Sequence, residues 1–205
     1  MGNQKSANSS CALSAGQRTL LCTYWPKLLA TNPDLFANAW TAAANASPEI
    51  RHTFRLSKDA NPLDNQGFAK LIASVQQFFN ELVVVYHLEE SAVQKMSAEL
   101  GAAHAKYCDE ALSYEIFSLK TCAARDTVAI CSNESLIAVM EKCQLDAPSQ
   151  TLLKLQKSWL TLVRVVIGQM RVGYESAKKD SCSGRTPVDA SPRVPQPLHL
   201  SKSLE

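Results

Sequence analysis

Between residues 68 and 83 apolar side chains return every three or four positions, as Phe68, Leu71, Ile72, Val75, Phe78, Phe79, Leu82 and Val83. That period places them on one face of a helix, whereas a strand would need alternation by two. A stripe this long must be covered by other helices, and the chain supplies them. Leu20, Leu21, Tyr24, Trp25 and Leu28 make a stripe on a helix over about 14–30, with Ser14 as its N-cap. Asn32-Pro33-Asp34 turns the chain into a second helix over about 34–46, with Leu35, Phe36, Ala39, Trp40 and Ala43 inward. Pro48 opens a short third helix, since a first turn tolerates proline, and that turn presents Ile50 and Phe54. Val93, Met96, Leu100 and His104 mark a helix over about 91–106, and Leu152, Leu155, Trp159, Leu162, Val163, Val166, Met170 and Tyr174 another over about 149–175. Residues 110–144 read as helical without a clear phase. No alternating pattern persists and no fixed-period repeat occurs, so the fold class is all-α.

With 205 residues, 46% hydrophobic and 20% charged, the chain has the composition of one globular body with tails. Its 21 basic against 19 acidic residues give no reason to expect the phosphate-driven binding of a nucleic-acid protein. The longest unbroken apolar run, Leu82 to Tyr86, is far short of the ~18 residues that a bilayer requires, so no membrane-spanning segment is expected. The seven cysteines, at 11, 22, 108, 122, 131, 143 and 182, lack metal-finger spacing and read as free thiols of a reducing, cytoplasmic setting. Residues 1–13 read as a flexible leader, 14–176 as the domain, and 177–205 as a disordered tail rich in proline and serine.

The leader begins Met1-Gly2-Asn3-Gln4-Lys5-Ser6, which matches the N-myristoylation pattern with Gly2 as acceptor. One myristoyl chain binds a bilayer weakly and reversibly, so stable attachment takes a second signal. Cys11 is the candidate palmitoyl site, and Lys5 adds attraction to anionic lipid. The expectation is a lipid-anchored protein at the inner face of a membrane, not a secreted one.

The order Trp25, Trp40, Pro48, Phe54 and then Leu-Gly-Ala-Ala-His-Ala-Lys-Tyr at 100–107 resembles the globin family. The final helix, from Ser158-Trp159-Leu160 through Met170, Gly173 and Tyr174, resembles the last globin helix as invertebrate globins write it. With the acylation motif and the two extensions, the chain resembles membrane-associated globins of nematode type, over about residues 14–176. The resemblance implies a three-on-three helical sandwich around haem b (iron protoporphyrin IX), with helix pairs crossing near about 50°. It implies His104 as the proximal iron ligand, Phe54 stacked on the porphyrin, Trp40 facing the ligand pocket and Leu100 packed beneath the ring. A neutral imidazole there gives one nitrogen to iron while the other donates to a nearby carbonyl. His52, His87 and His199 read as surface, loop or tail residues.

On the opposite side of the ring, residues 68–83 contain no histidine. With Phe68 at the pocket mouth, Leu71 becomes the distal residue and Val75 lies over the iron. The alternative register makes Val75 distal and Phe79 the residue over the iron; the first register is preferred, because the alternative turns Asn80 and His87 toward the core. Either way the distal residue is apolar, which removes a hydrogen bond to bound O2 worth about 1 kcal/mol or somewhat more. Trp40 could replace it through its indole N–H or simply fill the pocket. The segment from Cys108 to Gln144 exceeds the matching stretch of a compact globin, and Cys122, Cys131 and Cys143 in or near it are candidates for redox response.

The leading expectation is therefore a haem protein that binds a diatomic gas (O2, CO or NO), or acts as a redox sensor or electron carrier, beside a membrane and a redox or signalling partner. No acid–base pair near the distal side supports an enzyme, so peroxidase or nitric-oxide dioxygenase chemistry is at most a side activity. The alternative is a haem-free interaction module of globin fold, with Pro192-Arg193-Val194-Pro195 as an SH3-type ligand.

Overall fold

The computed structural model describes residues 12–107, 135–141, 145 and 147–182. Among them every regular element is helical: α1 (Ala15–Thr31), α2 (Leu35–Ala46), α3 (Pro48–Thr53), a 3-10 turn (Pro62–Asp64), α4 (Gln66–Asn80), a π turn (Glu81–Val85), α5 (Glu90–Tyr107), α6 (residues 135–141) and α7 (Ser149–Cys182). The leader with Gly2 and Cys11, the remainder of 108–144 and the tail from 183 lie outside the described residues.

Local chemistry sets the helix ends. Ser14 and Gln17 form a reciprocal capping box, in which Gln17 N–H donates to Ser14 Oγ at 3.2 Å and Ser14 N–H to Gln17 Oε1 at 2.9 Å. Ser47 caps α3 through Ile50 N–H, and Pro48 follows in its first turn. Asn65 caps α4 by accepting from Phe68 N–H at 2.9 Å, so α4 begins two residues before its apolar stripe. α1 carries Pro26 in its interior, where proline donates no bond to the Cys22 carbonyl, a loss of up to about 3 kcal/mol in an isolated helix. Burial of Leu21, Trp25 and Leu28 on either side of Pro26 offsets it.

The core centres on two indoles. Trp25 of α1 and Trp159 of α7 stack with centroids 4.9 Å apart and planes 9° from parallel. Phe36 of α2 meets both edge-on, at 5.9 and 6.2 Å, and Phe79 of α4 tilts onto Trp159 at 4.7 Å. Four helices thus share one aromatic cluster, each ring being a large apolar surface removed from water. Trp25 Nε1 donates to Asn80 Oδ1 at 3.4 Å, which explains why the polar Asn80 turns inward. Trp159 Nε1 has no partner, nor does Ser97 Oγ on α5, although Ser97 is fully buried.

Beyond this cluster, α2 packs on α4 and α1 on α7, while α5 and α7 form the most extensive helix pair. A turn at residues 86–89 joins the end of the α4 stripe to α5. Tyr86 N–H closes a π-type bond to Glu81 O at 3.0 Å, and His87 and Leu88 adopt left-handed backbone, with φ of 48° and 56°. His87 is exposed there, and His52 is exposed on α3.

One expectation from sequence changes. α7 continues through Cys182, into the stretch assigned to the tail from 177. The span Gln66–Val85 is long and apolar enough by length and composition to cross a membrane, although its longest unbroken apolar run is short. Here that span turns Phe68, Ile72, Phe79, Leu82 and Val83 into the core and Lys70, Ser74 and Gln77 outward, the division of an amphipathic core helix.

Replacing Trp159 by Ala removes contacts to three rings and should cost about 3–5 kcal/mol in urea unfolding. Ser97→Ala, which deletes a buried hydroxyl without a partner, should leave stability level or slightly higher. A loss below about 1 kcal/mol for Trp159→Ala would place the centre of the core elsewhere.

Candidate functional site

The residues expected to surround a porphyrin fall into two groups. Trp40 on α2, Phe54 at the end of α3 and Phe68 in the first turn of α4 form one aromatic corner: Phe68 meets Trp40 edge-on at 6.1 Å and Phe54 at 5.2 Å. Phe68 is the floor of this corner, only 1% exposed, while Trp40 and Phe54 are half-buried above it. Phe68 therefore serves as a support for the other two rings and not as an open mouth.

Phe54 is held by its loop. The Arg51 guanidinium donates to Asn45 Oδ1 at 2.7 Å and to the carbonyls of Ser57 and, at 3.5 Å, Ala60, which ties the loop after α3 back to α2. Arg55, with φ of 52°, takes the left-handed turn that lets the chain leave just after Phe54.

Along α4, Leu71 and Val75 are half-buried on the shoulder of the fully buried face formed by Phe68, Ile72 and Phe79. Phe78 continues that shoulder at i, i+4, i+7, a position that periodicity alone does not single out within the stripe. The 3.6-residue period does not separate a fully covered face from its flank. With Asn80 paired to Trp25, the inward turn of Asn80 no longer counts against the alternative register of α4.

The second group is on α5. His104 is half-buried, and its Nδ1 lies 2.7 Å from the carbonyl oxygen of Leu100, one turn back. A carbonyl can only accept, so Nδ1 carries the hydrogen, and in the neutral ring the lone pair then belongs to Nε2. Helical geometry makes this bond, because residues i and i+4 share a face. Leu100 and Met96 continue the half-buried stripe beside it. The bond fixes the plane of the imidazole relative to its own helix. Among the described residues no group of three or more His, Cys, Asp or Glu side chains could hold a bare metal ion.

Two other features stand apart from these groups. A cavity of about 250 Å3 lies between α1, α5 and α7, with Leu13, Arg18, Leu88, Val93, Arg164 and Gly168 among its lining, and none of the porphyrin candidates borders it. Cys22 is half-buried, with its thiol 3.6 Å from the Val83 carbonyl. Burial pushes that thiol above its ordinary value, opposed by the charge of Arg18 and by a backbone hydrogen bond. Cys122, Cys131 and Cys143 lie outside the described residues.

In long-range 15N–1H spectra of the haem-free protein, neutral His104 should show the Nδ1–H tautomer; the Nε2–H form would mean that the bond to Leu100 does not persist. Because its thiol is raised, Cys22 should be alkylated by iodoacetamide more slowly at pH 8 than a solvent-exposed thiol, with the rate rising at higher pH than for that thiol. Equal rates would contradict burial of the thiol.

No family model, curated protein or solved structure matches this chain.

Proposed function

We propose that the chain is a globin-type haem protein that binds a diatomic gas, or passes an electron, at a membrane surface. The observation that carries this reading is the hydrogen bond from His104 Nδ1–H to Leu100 O, which orients the imidazole on its helix as ligand histidines are oriented. Five half-buried apolar side chains support this reading: Leu100 and Met96 on α5 and Leu71, Val75 and Phe78 on α4. Trp40 and Phe54 add two aromatic surfaces whose positions are fixed by Phe68 beneath them.

When bound, haem supplies an iron that takes up O2, CO or NO or changes oxidation state. The chain does the rest. His104 would hold the metal, and its hydrogen bond to Leu100 fixes the ring plane. Leu71, Val75 and Phe78 exclude water and offer no hydrogen-bond donor, so a polar ligand is held loosely unless the Trp40 indole N–H donates. Acylation at Gly2, with Cys11 as second site, would place this chemistry at the cytoplasmic face of a membrane.

A second reading, a haem-free interaction module of the same fold, is favoured by the mutual packing of Trp40, Phe54 and Phe68, which fills that corner with the chain's own rings. Haemin titration separates the two. The first reading expects one equivalent bound, a Soret band lost in His104→Ala, and a five-coordinate ferrous spectrum; a chain that stays colourless with excess haemin supports the second. A sharp low-spin ferrous spectrum would instead reveal a second internal ligand.

A further inference from the structure

We infer that Gly101 on α5 and Gly173 on α7 are positioning residues for His104, a reciprocal lock that fixes how close its helix sits to α7. This inference rests on the proposed haem function. A Cβ at Gly101 would fall 1.8 Å from the Met170 carbonyl oxygen, and a Cβ at Gly173 would fall 1.9 Å from the Ala98 carbonyl oxygen. In each helix the glycine follows the contacted residue by three positions, 98 to 101 and 170 to 173, so the two contacts are mutual. Two points of backbone contact one turn apart set both the spacing of the helices and their slide along each other. The seam continues with buried Ala105 and Tyr174, against which Ala177 packs.

Both obstacles are backbone atoms, which no rotamer change can clear. Real Cβ contacts essentially never fall below 3.0 Å, so an alanine at 101 must drive α5 and α7 apart locally by roughly 1.2 Å or more. His104 lies three residues after Gly101, about a sixth of a turn round the same helix. Its ring is tied by Nδ1 to Leu100 of that helix, so the imidazole travels with α5. Gly168, also on α7, provides the control: a Cβ there meets nothing within 4 Å.

The test uses the full chain loaded with haemin and reduced, reading the iron–histidine stretching band by resonance Raman and the rate of haem loss to an excess of a haem-scavenging protein. Urea unfolding of the haem-free chain is measured in parallel. Gly101→Ala and Gly173→Ala should each shift the band and speed haem loss by about 10- to 100-fold, while Gly168→Ala leaves both at wild-type values. Lower urea midpoints with an unmoved band and rate would overturn the inference, reducing the glycines to a packing role. Should either alanine variant fail to fold, Ala177→Leu wedges the same seam more gently and should move both readouts in the same direction; wild-type values there would equally overturn it. A wild-type chain that takes up no haemin removes both this inference and the functional reading. A Soret band that depends on His104 but is indifferent to both glycines removes this inference alone.

Discussion

Trp25 and Trp159 lie face to face at 4.9 Å, and most of the molecule is arranged by what must surround them. Two stacked indoles present edges as well as faces, and the edges accept Phe36 from α2 while Phe79 from α4 tilts onto Trp159. Once α1, α2, α4 and α7 are joined at that point, the rotation of α4 about its own axis is no longer free. Phe68, Ile72 and Phe79 must point inward, and Leu71, Val75 and Phe78 are left on the shoulder, partly covered. The half-buried apolar strip of the candidate site is thus a consequence of the core and needs no separate design.

α5 is secured by a different kind of contact. Its face toward α7 is made of Ala98, Gly101 and Ala105, and the approach is backbone against backbone. Such a joint tolerates almost no change of distance, whereas an aromatic cluster adjusts through ring rotation and small shifts. The helix that bears the iron-ligand candidate is therefore the one most rigidly fixed to its neighbour. Precision at a donor atom requires that kind of support, because metal affinity responds strongly to the orientation of the ligand ring.

Much of the architecture could be read in advance from local signals. Ser14 with Gln17, Ser47 before Pro48, and the recurrence of apolar residues at three and four gave the helix starts to within about two residues, because caps and stripes are determined by near neighbours. Where the answer depended on distant partners, those signals were insufficient. The inward turn of Asn80 depends on Trp25, far away in the sequence, which donates to its side chain. Phe68 looked like a pocket-mouth residue because the stripe alone does not reveal which of its members lie beneath Trp40 and Phe54.

The sequence by itself determined an all-helical chain, the apolar faces of its helices, and a histidine one turn after Leu100 on such a face, since each follows from the 3.6-residue repeat. Only the tertiary structure decided which apolar side chains are sealed and which stay half-covered, that Asn80 turns inward, and that Gly101 and Gly173 are indispensable while Gly168 is not. The reason is physical: a glycine is forced by the atoms opposite it, and those atoms belong to a part of the chain that only folding brings near.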